Sequence, residues 1–235
     1  WSSVGLPALL AIGVDRFREF LDGGREMDTH FSSAPFATNL PVLMALVALW
    51  NGQFLNIESL AVLPYSHALR GFPGYLQQLE MESNGKSVMH DGQALAWHTA
   101  QIVWGAAGTH GQHAFHQLFY QGTRRRCIDF IVPTNEGKTD AHRALVINAR
   151  AQAQALMEGQ TLEKSADILR KQGLSDKEVA RLAPHSVARG NQPSSSLLFS
   201  SLTPKTLGAL IALYEHKTFV LGWLWGINSF DQFGV

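Results

Sequence analysis

The 235-residue chain has one cysteine, Cys127, which excludes an internal disulfide. Its place inside Cys-Ile-Asp-Phe-Ile-Val reads as a small buried strand residue rather than a reactive thiolate. Charge is scarce too: charged residues make up 16% of the sequence, and 19 basic residues balance 19 acidic ones to a formal net charge of +0. No global field steers the chain toward nucleic acid or a membrane surface. Long apolar runs are missing as well. The apolar start from Val4 to Val14 is broken by Gly5, Pro7 and Gly13, and a membrane-crossing helix needs about 20 residues. Signal-peptide pattern, internal repeat and low-complexity linker are all lacking. A soluble cytoplasmic protein is the default expectation. The chain opens on Trp1-Ser2-Ser3 without methionine and stops after Gly234-Val235, and both ends read as cut.

What is present is a large apolar fraction, 46% of residues, and 10 histidines. The first supports a sizeable core, and the second supplies side chains that titrate near neutral pH. Helical spacing of Leu6, Leu9, Leu10, Val14, Phe17, Phe20 and Leu21 predicts a first helix that Gly23-Gly24 ends. A short helix over 25–31 follows. A third, over 40–50, has Asn39 as its cap and Pro41 in its first turn, and is apolar nearly all round, which predicts burial.

Strands are expected over 59–63, 101–104, 127–132 and 196–199. They read as continuous apolar runs, the pattern of parallel strands covered on both faces. Helices are expected between them, over 69–81, 112–120, 140–157, 161–172, 175–181 and 204–220. Segments 87–90 and 94–97 flank Asp91-Gly92 as a small hairpin. The expected class is α/β: an open, mostly parallel sheet in a three-layer αβα arrangement, formed by residues 1–235 as one domain.

Three stretches carry chemistry. Gln77-Gln78-Leu79-Glu80-Met81-Glu82-Ser83-Asn84-Gly85-Lys86 puts the Glu82 carboxylate at the mouth of a Ser-Asn-Gly turn. As a plain surface group Glu82 is awkwardly placed, because a helix C-terminus repels negative charge. Glu80 reads as surface, and Glu215-His216-Lys217 as a solvated or interface stretch. Gly105-Ala-Ala-Gly108-Thr-His110-Gly111-Gln112-His113 follows a strand, where open α/β sheets bind ligands. A helix starting near Gln112 puts His113 in its first turn, which disfavours imidazolium. An ordinary helix start fits these residues as well as a catalytic one. His110, His113 and His116 recur every three residues. No cysteine or close carboxylate completes a metal set, so they read as ordinary histidines. The third stretch is Phe230-Asp231-Gln232-Phe233-Gly234-Val235.

Met81-Glu82-Ser83-Asn84-Gly85-Lys86, Gly111-Gln112-His113-Ala114-Phe115, Gln121-Gly122-Thr123, the run Leu207 to Lys217 and Phe230-Asp231-Gln232 occur in this order. Together they resemble the phosphoglucose isomerase family over nearly the whole chain. The resemblance implies interconversion of glucose 6-phosphate and fructose 6-phosphate without metal or organic cofactor. It implies a sugar-isomerase fold in which this chain is the second, larger domain, and a homodimer with a shared site. By the same resemblance Glu82 is the base that moves a proton through a cis-enediolate. His113 serves ring opening in the neighbouring subunit's site, and Gln78 and Gln232 line the substrate pocket. Two segments depart from the family pattern: Gly105 to His110 lacks the usual Glu-Pro, and Gly190-Asn191-Gln192-Pro193 has glutamine for arginine. The family's phosphate loops, an arginine and a lysine fall outside this sequence, so the chain alone is expected to be inactive. A non-catalytic sugar-phosphate-binding or signalling module is the alternative. Neither nucleic acid nor membrane is an expected partner.

Overall fold

The computed structural model describes residues 1–137 and 139–233. Four strands form one sheet among these residues: β1 (Ser59–Pro64), β2 (Ile102–Gly105), β3 (Cys127–Pro133) and β4 (Ser194–Phe199). All pairings are parallel and the order is β2-β1-β3-β4. The central strands β1 and β3 are buried along their whole length, as their apolar runs predict. The edge strands differ. Ile102 of β2 and Leu198 of β4 are exposed, and β4 alternates between exposed and half-buried positions. A strand with one neighbour and one covered face does not need a continuous apolar run.

Strand alternation sends β1 side chains into two cores. On one face Leu60 and Val62 pack with Leu76, Leu210, Leu213 and Tyr214. On the other, Ala61 and Leu63 pack with Phe119, Phe130, Ala149 and Leu156. The first core is covered by α4 (Phe72–Gln77) and α9 (Pro204–Trp225), the second by α5 (Gly108–Gln121) and α6 (Asp140–Glu158). This is the expected three-layer arrangement.

The amino-terminal helices depart from expectation. A break at Gly13 separates α1 (Leu6–Ile12) from α2 (Val14–Ser33), which runs straight through Gly23-Gly24. Those glycines do not stop the helix; they let it touch α9. A Cβ on Gly23 would lie 1.8 Å from the Lys205 carbonyl oxygen, and one on Gly208 would lie 2.0 Å from that of Phe20. Helix α3 (Leu40–Gln53) has its predicted cap, with the Asn39 side chain accepting from the Val42 N–H. Burial of α3 is only partial: Pro41, Ala45 and Asn51 are buried. Leu43, Leu46, Val47 and Trp50 are exposed, Trp50 at 56%. Its all-round apolarity serves two surfaces, one against α9 and one facing outward.

The polar section folds as α7 (Leu162–Lys171) and α8 (Asp176–Leu182), which opens on a Ser175–Glu178 capping box. The expected hairpin is reduced to one antiparallel bridge, Val88 with Ala94. Among the described residues, no helix is long and apolar enough to cross a membrane.

Candidate active site

Helix α4 does not end as an ordinary helix end. It widens into a π turn over Gln78–Glu82, and one further helical turn carries Ser83 and Asn84. π turns are rare and recur at functional sites. Residues four apart share a helical face and the residue between them lies opposite. Gln78 is accordingly exposed and Glu82 half-buried, while Glu80 is 5% exposed. The Lys86 ammonium caps the turn, donating to the carbonyls of Glu82 at 2.8 Å and Ser83 at 2.7 Å. A cation there offsets the negative end of the helix.

The reading of Glu80 as surface is overturned. Its carboxylate accepts from the Thr218 hydroxyl at 3.0 Å and lies 3.7 Å from the Lys217 ammonium. Lys217, also expected to be solvated, is 3% exposed. The missed signal was spacing. Leu210, Leu213, Tyr214, Lys217 and Leu221 follow the three-and-four rhythm of a buried stripe, so α9 carries Lys217 inward. Beside it the Tyr214 hydroxyl donates to Asp129 at 2.9 Å. Burial pushes the Asp129 carboxyl above its ordinary value, against the opposing pull of Lys217 and hydrogen bonds from Tyr214 and Ser195. A cavity of about 150 Å³ with a mixed polar and apolar lining adjoins this group, bounded in part by Asn51, Gln101, Cys127, Asp129 and Lys217. The Cys127 thiol is pushed up to about 12, chiefly by burial, so it is an inert core group as its neighbours suggested.

Asn84 belongs to the helical residues that follow the π turn. Fully buried, it donates to the Thr218 carbonyl at 2.9 Å and accepts from the Ser229 hydroxyl at 2.6 Å. This joins the Glu82 turn to the closing segment, in which Asp231 and Gln232 are exposed. Gly234 and Val235 lie outside the described residues. Glu82 and the segment of Gln232 are thus brought to one side of the sheet.

His113 is elsewhere. Helix α5 begins at Gly108, not near Gln112, so His113 sits in the second turn, beyond the free amides of the helix start. The strand before it ends at Gly105, whose φ of +153° and close approach to Val62 O (2.0 Å from a built Cβ) exclude a side chain. Phe115 packs edge-on against Trp104 with centroids 4.8 Å apart, and Gln112 donates to Tyr65 Oη at 3.1 Å and to Asn148. These contacts anchor α5 to the face of the sheet opposite α4 and leave His113 exposed. His110 is exposed too, whereas His116 is 4% exposed and bonded to Gln152 at 3.0 Å. The three histidines do not converge. Among the described residues no group of three His, Cys, Asp or Glu side chains is arranged to hold a metal.

One copy of this chain therefore gathers Glu82 and the Gln232 segment but puts His113 on the other side of the sheet. The cavity beside Asp129 and an apolar groove of about 700 Å³ between α3 and α9 contain none of Gln78, Glu82, His113 or Gln232. Gln192 is buried and donates to the Phe119 carbonyl at 3.0 Å.

An open, all-parallel four-stranded sheet with helices packed on both faces defines the class: an α/β protein. The family follows from comparison. The phosphoglucose isomerase sequence model matches residues 1–235, and the chain belongs to that family. It is 58% identical over its whole length to the glucose-6-phosphate isomerase of Aromatoleum aromaticum, covering 43% of that protein. It is 51% identical to that of Marinomonas sp., again covering 43%. The crystal structure of a glucose-6-phosphate isomerase from Chlamydia trachomatis superposes with a TM-score of 0.82 at 36% identity, over 94% of this chain and 40% of that one. The chain thus spans less than half the length of the relatives it matches.

Proposed function

We propose that this chain is the second sugar-isomerase domain of an enzyme interconverting glucose 6-phosphate and fructose 6-phosphate. Glu82 moves the proton between C1 and C2 through a cis-enediolate, Gln78 and Gln232 contact the sugar, and His113 opens the ring in a partner subunit's site. The observation that carries this reading is the division of the site. Glu82 and the Gln232 segment share one side of the sheet through Asn84 and Ser229, while His113 stands exposed on a helix packed against the other. A base and an acid needed for one substrate meet if two copies exchange their histidines. The exposed apolar face of α3 and the exposed Trp50, Trp97 and Trp223 are suited to cover by the remainder of the protein or by a second copy. Metal and organic cofactor have no part in this mechanism, and the compartment is the cytoplasm.

The test is Glu82→Gln in the full-length protein. The expected loss in kcat is roughly 10²–10⁴-fold, the usual contribution of a positioned base, with exchange of the C2 hydrogen into solvent abolished. Retained exchange would rule Glu82 out as the base. The isolated chain, which spans less than half the length of its relatives, is expected to show only background in a coupled isomerase assay; substantial turnover would refute that expectation.

A further inference from the structure

We propose that Glu80, held by Thr218, is a positioning residue for Glu82, a role resting on the reading of Glu82 as the base. Glu82 lies at the end of a π turn, a geometry that an isolated helix does not favour. Something must hold the wider turn in place. Two buried side chains bracket Glu82, and both are tied to α9 at the same point. Two residues before it, Glu80 accepts from the Thr218 hydroxyl at 3.0 Å and faces Lys217 at 3.7 Å. Two residues after it, Asn84 donates to the Thr218 carbonyl at 2.9 Å. Thr218 thus grips the turn through its side chain on one flank of Glu82 and its backbone on the other.

Burial shows how strongly the arrangement is specified. Glu80, Asn84, Lys217 and Thr218 are 5%, 0%, 3% and 4% exposed. A buried carboxylate is tolerated only when it is paired and hydrogen-bonded. Glu80 has both kinds of partner, so any slide of the turn along α9 would strand a charge in the core. The turn is fixed by that penalty. Its opposite face, with Gln78 and Glu82, is held outward as a consequence. Asn84 also accepts from Ser229 at 2.6 Å, so the same clamp sets the base turn against the segment bearing Gln232. Neither Glu80 nor Thr218 touches the substrate in this scheme.

The experiment compares Thr218→Val and Thr218→Ser in the full-length enzyme. Valine keeps the shape and removes the hydroxyl; serine keeps the hydroxyl and removes the methyl. A displacement of about 1 Å at a reacting group can reduce the rate 10²-fold. Thr218→Val is therefore expected to lower kcat roughly 10- to 100-fold, with KM for the sugar phosphate changed less than about twofold. Thr218→Ser is expected to recover most of kcat. A purely packing role predicts the reverse, since serine loses the methyl that valine keeps. Wild-type kcat in Thr218→Val, or an equal fall in both variants, overturns the proposal. Glu82→Gln run in parallel separates the two claims. If it abolishes C2 exchange while Thr218→Val is unaffected, the clamp fails and the base stands. If it retains exchange, the base reading itself has failed.

Discussion

His116 shows how a buried ring ties stability to pH. Its Nδ1 donates to Gln152 Oε1, which also accepts from the Tyr120 hydroxyl, and its Nε2 has no hydrogen-bond partner among the described residues. Burial pulls its pKa below the ordinary histidine value of 6.5, and the bond to Gln152 opposes this only in part. The neutral ring is therefore the folded form. Its contribution is fully present above the unfolded-state value and is lost as pH falls through the lower folded-state value. Thermal unfolding of the full-length protein should occur at lower temperature at pH 5 than at pH 7.5. His116→Gln, which cannot take up a proton, should flatten that dependence. An unchanged slope in the variant would show that protonation of His116 is not linked to folding.

At the scale of elements, the α2–α9 contact depends on glycine. Ala normally gains about 1 kcal/mol over Gly inside a helix, so Gly23→Ala would stabilise α2 in isolation. In the protein the new methyl would lie 1.8 Å from a main-chain oxygen of α9, and overpacking of this kind costs about 1–3 kcal/mol or more. The clash involves backbone and cannot be relieved by a rotamer change, so the net effect should be a loss of stability, read in urea unfolding. Gly52→Ala is the contrast. Gly52 lies near the end of α3 with none of the described residues' atoms that could obstruct it within 4 Å of the added carbon, and the substitution should be neutral or stabilising. Similar effects of the two substitutions would mean that the close approach carries no energetic weight.

The same contact explains what the sequence left illegible. Gly23-Gly24 has the composition of a helix stop, and only the partner helix reveals it as a docking point. The central strands were legible because β1 and β3 are covered on both faces and are apolar except at Ser59 and Asp129. The motif singled out Glu82 as a candidate, but nothing in it pointed to the buried groups around the turn. Glu80 and Lys217 look solvent-exposed by residue type, and their burial follows only once α9 lies across the π turn. The spacing of Lys217 from Leu210 and Leu213 pointed inward, but a charged residue outweighed that signal. Burial of α3 was misjudged for the opposite reason. Apolarity on all sides records how many surfaces need covering, not which of them this chain covers itself.

For the whole molecule, the consequential feature is that one copy holds the proposed base and acid on opposite faces of one sheet. If each active site takes Glu82 from one subunit and His113 from the other, Glu82→Gln and His113→Ala damage different partners of the same pair. Each homodimer is then dead at both sites. A mixed dimer has one site with both defects and one with neither. With random pairing, half the dimers are mixed and half of their sites are intact, so a co-expressed and co-purified mixture should recover about a quarter of wild-type activity. Separately purified variants combined without subunit exchange should recover none. If each subunit instead supplied its own histidine, every site would carry one lesion and mixing would restore nothing. The experiment needs no knowledge of the contact surface, because its readout depends only on whether the carboxylate and the imidazole that act on one sugar phosphate come from the same chain.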